Sequence, residues 1–108
     1  MANTFKNATL KANTSGSSET IYTAPAATTS LIHGLYISNT GSETVRVDLK
    51  MLDASAATTS SLLTGGPIMP GGTLVWDKPI NLEATDSIRI TPDKNSITEV
   101  VASVLQIT

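Results

Sequence analysis

The segment Thr29–Leu52, TSLIHGLYISNTGSETVRVDLKML, carries the clearest structural signal in the chain. Its second half alternates between two classes of side chain. One face carries the apolar residues Val45, Val47, Leu49 and Met51, and the other face carries Arg46, Asp48 and Lys50. A period of two over this length predicts a β-strand with one face in solvent. Because Asn39 and Gly41 tolerate the positive φ of a tight reversal, the whole segment is predicted to be one long β-hairpin.

The first half of this segment is apolar on both faces. If it alternates regularly, one face carries Leu31, His33, Leu35 and Ile37, and the other carries Ile32, Gly34, Tyr36 and Ser38. A strand with large apolar side chains on both faces must be covered on both sides. We therefore expect the protein's own core on one side of this strand and a neighbouring subunit on the other.

Length and composition restrict the class of protein. A chain of 108 residues fits one domain, which would bury about 65% of its unfolded surface. The absence of cysteine excludes thiol catalysis, cysteine-ligated zinc and disulfides. Charged residues are 15% of the chain and form no basic stripe, so direct binding of nucleic acid is not expected. There is neither an apolar run of the roughly 18 residues that span a membrane nor a signal-peptide core, so we expect no membrane partner and folding in a cytoplasm.

The remaining sequence divides into an arm and a sandwich. Residues 1–18 are predicted to be a polar N-terminal arm, either a frayed end or a segment that docks on a partner through Phe5. Residues 19–108 contain short apolar runs separated by turn signals about every ten residues, which predicts seven to eight strands. We expect an all-β fold, a two-layer antiparallel β-sandwich with a jelly-roll topology or, alternatively, an immunoglobulin-like one.

No motif for catalysis, a cofactor or a metal is present, so we predict that the protein is not an enzyme and needs no cofactor. His33 is the only histidine and lies in an apolar run, which favours a buried, hydrogen-bonded side chain over a ligand or catalyst. The serines and aspartates lack the nucleophile elbow of a hydrolase. Two acidic loops, at Glu83 and Asp86 and at Asp93 and Asn95, have too few ligands for a recognised calcium loop.

Large side chains are scarce in this chain, and their positions indicate contacts. Aromatic residues are only 4% of the sequence, and Trp76 stands at the end of a short apolar run as either a core residue or an interface anchor. The predicted interface residues are Phe5, Leu31, Leu35, Tyr36 and Trp76.

Four motifs in a fixed order then indicate a family. They are the segments Tyr22–Ala26 (YTAPA), Asn39–Gly41 (NTG), Pro67–Leu74 (PIMPGGTL) and Leu82–Ile90 (LEATDSIRI). In this order, over about residues 19–108, they resemble the small β-sandwich virion proteins of tailed bacteriophages. A surface rich in serine and threonine, which are about a quarter of the residues, is also common in viral coat proteins.

The resemblance implies a structural role in the phage particle after folding in the host cytoplasm. The expected role is a capsid decoration (cement) protein that binds the major capsid protein, or other virion proteins, as a homotrimer. The first alternative is a tail, neck or fibre-associated virion protein. A more distant alternative is a carbohydrate-binding sandwich module, in which Tyr22, Tyr36 or Trp76 would stack on sugars.

Overall fold

A computed structural model describes residues 3–12 and 14–108, and these residues form only strands, turns and loops. No helix in this part of the chain has the length and apolar character needed to cross a membrane. The strands are β1 (Asn3–Ala12), β2 (Glu19–Thr23), β3 (Thr29–Asn39), β4 (Val45–Asp53), β5 (Thr58–Ile68), β6 (Thr73–Trp76), β7 (Ile80–Leu82), β8 (Ser87–Pro92) and β9 (Thr98–Ile107).

The strands build two antiparallel sheets. A five-stranded sheet has the order β1-β9-β3-β6, with β7 also paired to β3, and a four-stranded sheet has the order β2-β8-β4-β5. The chain forms one long hairpin that is rolled up on itself. In this hairpin β1 pairs with β9, β2 with β8, β3 with β6 and β7, and β4 with β5. This is the jelly-roll topology expected from the sequence, with one strand divided into β6 and β7. It has nine strands rather than seven or eight.

The core lies between the two sheets and is aliphatic. Its fully buried large side chains include Ile32, Leu35, Ile37, Leu49, Leu82, Ile88, Ile90, Val45, Val47, Val100 and Val104. In β4 the alternation seen in the sequence is confirmed, because Val45, Val47 and Leu49 point into this core.

The prediction of a hairpin between β3 and β4 is wrong. The two strands lie in different sheets, and residues 40–44 cross from one sheet to the other. The buried Asn39 side chain holds this crossing: its Nδ2 donates to Glu43 O at 2.6 Å and to Ile68 O at 2.9 Å, and its Oδ1 accepts from Gly41 N at 2.9 Å. Neither Asn39 nor Gly41 has a positive φ. Gly41 is needed for space, because a Cβ there would clash with the Ile97 side chain.

A β-bulge explains why β3 looked apolar on both faces. The register with β9 shifts between Ile32 and Gly34, so His33 is one extra residue. The inward face therefore changes phase at His33, from Ile32 before it to Leu35 after it. Each of the two sets of four residues that regular alternation assigned to one face therefore contains both core and surface positions.

The segment predicted to be an arm contains a regular strand. Residues Asn3–Ala12 pair with β9 without a break, from Asn3 opposite Ile107 to Ala12 opposite Thr98. Its burial is low, since only Ala12 is fully buried, and this polar surface is why the sequence suggested an arm. Residues 1, 2 and 13 of the predicted arm lie outside the described residues, and the division at residue 18 stays a prediction.

The two faces of β4 give the first test of this fold. Leu49→Ala removes a fully buried side chain and should lower the free energy of unfolding by about 2–4 kcal/mol. Lys50→Ala, on the adjacent outward position, should change it by less than about 0.5 kcal/mol. Urea denaturation of both variants measures the difference, and equal losses would contradict the assignment of the faces.

Candidate interaction surface

The outward side of the five-stranded sheet, called the outer face below, presents two apolar rows. The register aligns Phe5 with Leu105 and Leu105 with Leu31, which makes the first row. It also aligns Val101, Tyr36 and Val75 across the sheet, which makes the second row, and Thr9 of β1 continues this row with a polar residue. Each of these positions alternates with a buried or inward-facing residue of the same strand, so both rows point away from the core.

The outer face collects most of the large apolar side chains that reach the surface. The described residues include five such exposed side chains: Phe5 is 76% exposed, Val75 55%, Val101 43%, Tyr36 42% and Met69 71%. Only Met69, in the β5–β6 turn, lies outside the outer face. Clustering of this kind marks contact surfaces, whereas single exposed apolar residues need no explanation.

The outer face is also nearly free of charge. Among its strand residues in the described part of the chain, only Lys11 and Glu99 are charged, and they pair with each other at 3.8 Å near one end. The centre between the rows is formed by Asn7, Ser103 and Gly34, which are small or uncharged. Depletion of charge in the centre of a patch is characteristic of protein–protein contacts.

Ring contacts hold the aromatic side chains of this surface. A Cβ on Gly34 would lie 3.2 Å from the Tyr36 hydroxyl oxygen, so the tyrosine ring lies over the glycine. The rings of Phe5 and His33 meet edge to face, with centroids 6.2 Å apart and an interplanar angle of 89°. Each of the two rings thus has a neighbour within the outer face.

The predicted interface residues fall into two groups. Phe5, Leu31 and Tyr36 lie on the outer face. Leu35 is fully buried in the core, and Trp76, opposite it on β6, packs against the same core. Leu35 is therefore not available to a partner in this structure, because the bulge at His33 turns it inward.

The interface residues predicted from the sequence do not include Val75 and Val101, and both are exposed on the outer face. A signal was available for Val101, because β9 has apolar residues at consecutive positions and only one face of a sheet can meet the core. No local signal marked Val75, since its orientation follows from the pairing of β6 with β3.

Two polar predictions change as well. His33 is exposed on the bulge and contacts Phe5, so the expectation of a buried, hydrogen-bonded histidine is wrong. Tyr22 is half-buried in a bridge between the sheets: its hydroxyl lies 2.8 Å from Ser30 Oγ and accepts from Gln106 Nε2 at 2.6 Å. Of the three rings considered for stacking on sugars, only that of Tyr36 is exposed.

One acidic cluster forms between two loops. Asp53, Glu83 and Asp86 each place one carboxylate oxygen within 4.8 Å of the others. Both oxygens of the buried Asp86 are occupied, because Oδ1 accepts from Ala54 N and Oδ2 accepts from Glu83 N, each at 3.0 Å. Oδ1 of Asp53 accepts from Ser55 Oγ and Ala56 N in its own turn. Through these hydrogen bonds, Asp53 and Asp86 stabilise the backbone of the loops.

Asp93 and Asn95 also serve the backbone. Asp93 Oδ1 accepts from Arg46 N at 2.8 Å, and Asn95 Oδ1 accepts from Ser15 N at 2.8 Å. The two side chains fix the β8–β9 turn against β4 and against the segment before β2. They are not brought together with the first acidic cluster.

The acidic loops give the second test. We expect neither a chelator nor added calcium to change the melting temperature, because the buried carboxylate at Asp86 is already satisfied by backbone N–H groups. Differential scanning calorimetry of the protein with each addition measures this. A chelator that lowered the melting temperature by several degrees would contradict the prediction and identify a metal-dependent loop.

Comparison with known proteins identifies the fold. No protein-family model and no curated protein sequence matches the chain. A chain of the T13 infectious bursal disease virus particle is similar with a TM-score of 0.60 and 11% identity, over 96% of this chain and 30% of that one. A chain from the acid-stable capsid of Helicobacter pylori bacteriophage KHP30 is similar with a TM-score of 0.57 and 11% identity, over 100% of this chain and 89% of that one.

A chain of the infectious bursal disease virus VP2 subviral particle is similar with a TM-score of 0.52 and 15% identity, over 96% of this chain and 32% of that one. This chain thus spans about a third of the bursal disease virus chains and most of the phage chain. At these identities the likeness establishes the fold, an antiparallel β-sandwich of the jelly-roll kind that also occurs in chains of viral particles.

Proposed function

We propose that this chain is a non-enzymatic structural protein of a tailed-phage virion and that it binds and stabilises the head as a capsid decoration protein. The observation that carries the proposal is the outer face, which is apolar in two rows and charged at only one end. The ordered phage-like motifs of the sequence and the jelly-roll fold support the same class. Its partners would be the major capsid protein or other virion proteins.

The proposal includes self-association. A sandwich of two layers covers only the inner face of each sheet, and the outer face presents Phe5, Tyr36, Val75 and Val101 to solvent. Closed rings of identical subunits are the usual way to cover such a face, and the local three-fold axes of a head favour a homotrimer. A tail, neck or fibre-associated position would use the same surface and is the alternative within this class.

Oligomerisation can be tested on the outer face directly. We expect a trimer in solution, and we expect Val101→Lys to shift it toward monomer, because a charge would enter the centre of an apolar contact. Thr20→Lys, at an exposed position of β2 on the other sheet, is the matched control and should leave the mass unchanged. Light scattering coupled to gel filtration gives the masses. A wild-type monomer, or equal effects of both variants, would contradict the proposed ring.

Head binding is tested with phage heads stripped of the protein. Deletion of residues 1–14 is expected to weaken binding, but it also removes β1 and the buried Ala12, so a point variant is cleaner. Phe5→Ser should reduce binding several-fold, since Phe5 is 76% exposed on the outer face. Met69→Ser, 71% exposed outside that face, is the control.

Co-sedimentation with the heads measures this binding, and cryo-EM of the assembled particle locates the protein on head, neck or tail. Density on the tail or neck would replace the decoration role by the alternative one. Failure of the wild-type protein to bind any part of the particle would contradict both.

A further inference from the structure

The two sheets have four edges, and these edges differ in whether their backbone can pair with an additional strand. Unpaired N–H and C=O groups on an edge strand can accept an additional strand, and proteins usually block them with short strands, bulges, prolines or charge. Three of the edges here are blocked by their backbone geometry. The fourth, β1, has no such block in its backbone.

The blocked edges are interrupted in different ways. Strand β2 has five residues and a register shift between Thr20 and Tyr22. Strand β5 has two register shifts and contains Gly65, with φ of 62°, and Pro67. The edge made by β6 and β7 consists of pieces of four and three residues, separated by residues 77–79. None of these can add a long regular strand.

Strand β1 has none of these interruptions. It has ten residues, contains no proline, and pairs with β9 in unbroken register. Within the described residues, β9 is its only hydrogen-bonded neighbour, so its other side is a free edge. Seven of its ten residues are exposed, and its C-terminal end, at the buried Ala12, is the part closed to a partner. Part of β1 also lies close to β2 of the other sheet.

The charge of β1 determines which kind of strand can pair with its free edge. Residues 3–12 contain Lys6 and Lys11 and no carboxylate, although the whole chain has a net charge of -2. Lys11 pairs only loosely with Glu99, at 3.8 Å, and the Lys11 side chain is 76% exposed while that of Glu99 is 44% exposed. Two copies of β1 side by side would bring four lysines into one ribbon, and like charges across strands are unfavourable. The lysines therefore oppose pairing of β1 with itself and favour an acidic strand.

We propose that the free edge of β1 binds an extended acidic segment of the virion partner by strand addition. The added strand would carry carboxylates opposite Lys6 and Lys11, which are five residues apart and therefore on opposite faces of the strand. Backbone hydrogen bonds would supply affinity and the two lysines would supply selectivity. The identity of the partner rests on the proposed function, whereas the edge site itself does not.

The test uses a peptide as the probe and needs no phage particles. The acidic peptide has the core Glu-Val-Thr-Val-Thr-Glu, uncharged flanks and blocked ends, and the basic peptide has Lys in place of both Glu. Titration of the ¹⁵N-labelled full chain should shift amide signals of residues 4–11 and leave those of β5 unchanged. We expect the acidic peptide to bind about tenfold more tightly than the basic one, since each exposed charge pair contributes modestly.

The matched variant reverses the charge of the edge. Lys6→Glu and Lys11→Glu are combined with Glu99→Lys, which keeps an opposite-charge pair between β1 and β9, so the fold should be retained. This variant should prefer the basic peptide. Equal binding of both peptides by the wild type, no change of preference in the variant, or shifts confined to other strands would overturn the proposal.

Head binding then separates the two proposals. If the wild type fails to bind heads but discriminates between the peptides, the virion role fails and the edge site stands. If heads bind the wild type while the peptides do not discriminate, the edge site fails alone.

Discussion

The five-stranded sheet depends on the position of β9 between β1 and β3. Strand β9 hydrogen-bonds to both neighbours over nearly its full length, so it joins the first strand of the sandwich to its centre. Its inward residues Val100, Ala102 and Val104 are buried in the core, while Val101 and Leu105 stand in the middle of the outer face. The inward face of β9 thus contributes to stability, and its outward face contributes to the contact surface.

The sequence predicted the fold class and several strands from local patterns. The alternation of apolar and polar residues in Val45–Asp53 assigned the two faces of β4 correctly. Period-two alternation is a property of a single strand, so it can be recognised without knowing the partner. The same pattern carries no information about which strand lies alongside, and this is why β3 and β4 were wrongly paired with each other.

The candidate surface was only partly predictable, because one inserted residue decides its composition. The bulge at His33 places Leu35 in the core and Tyr36 on the surface, whereas regular alternation with Leu31 outward would have placed them the other way round. Polar contacts between distant parts of the chain could not be predicted from the sequence either. The Asp86 carboxylate accepts from the Ala54 N–H, 32 residues away in the chain, so no short motif indicates that this acid has a structural role.

The pairing of β1 with β9 also has a kinetic consequence. Asn3 meets Ile107, so this ladder closes nearly the whole chain into a loop, and contacts between residues so far apart form late and slowly in folding. Until β1 pairs with it, β9 is the edge strand of this sheet and one side of its backbone is unpaired. Folding intermediates of this protein would therefore expose a long apolar strand edge, which makes its yield sensitive to concentration and temperature during refolding.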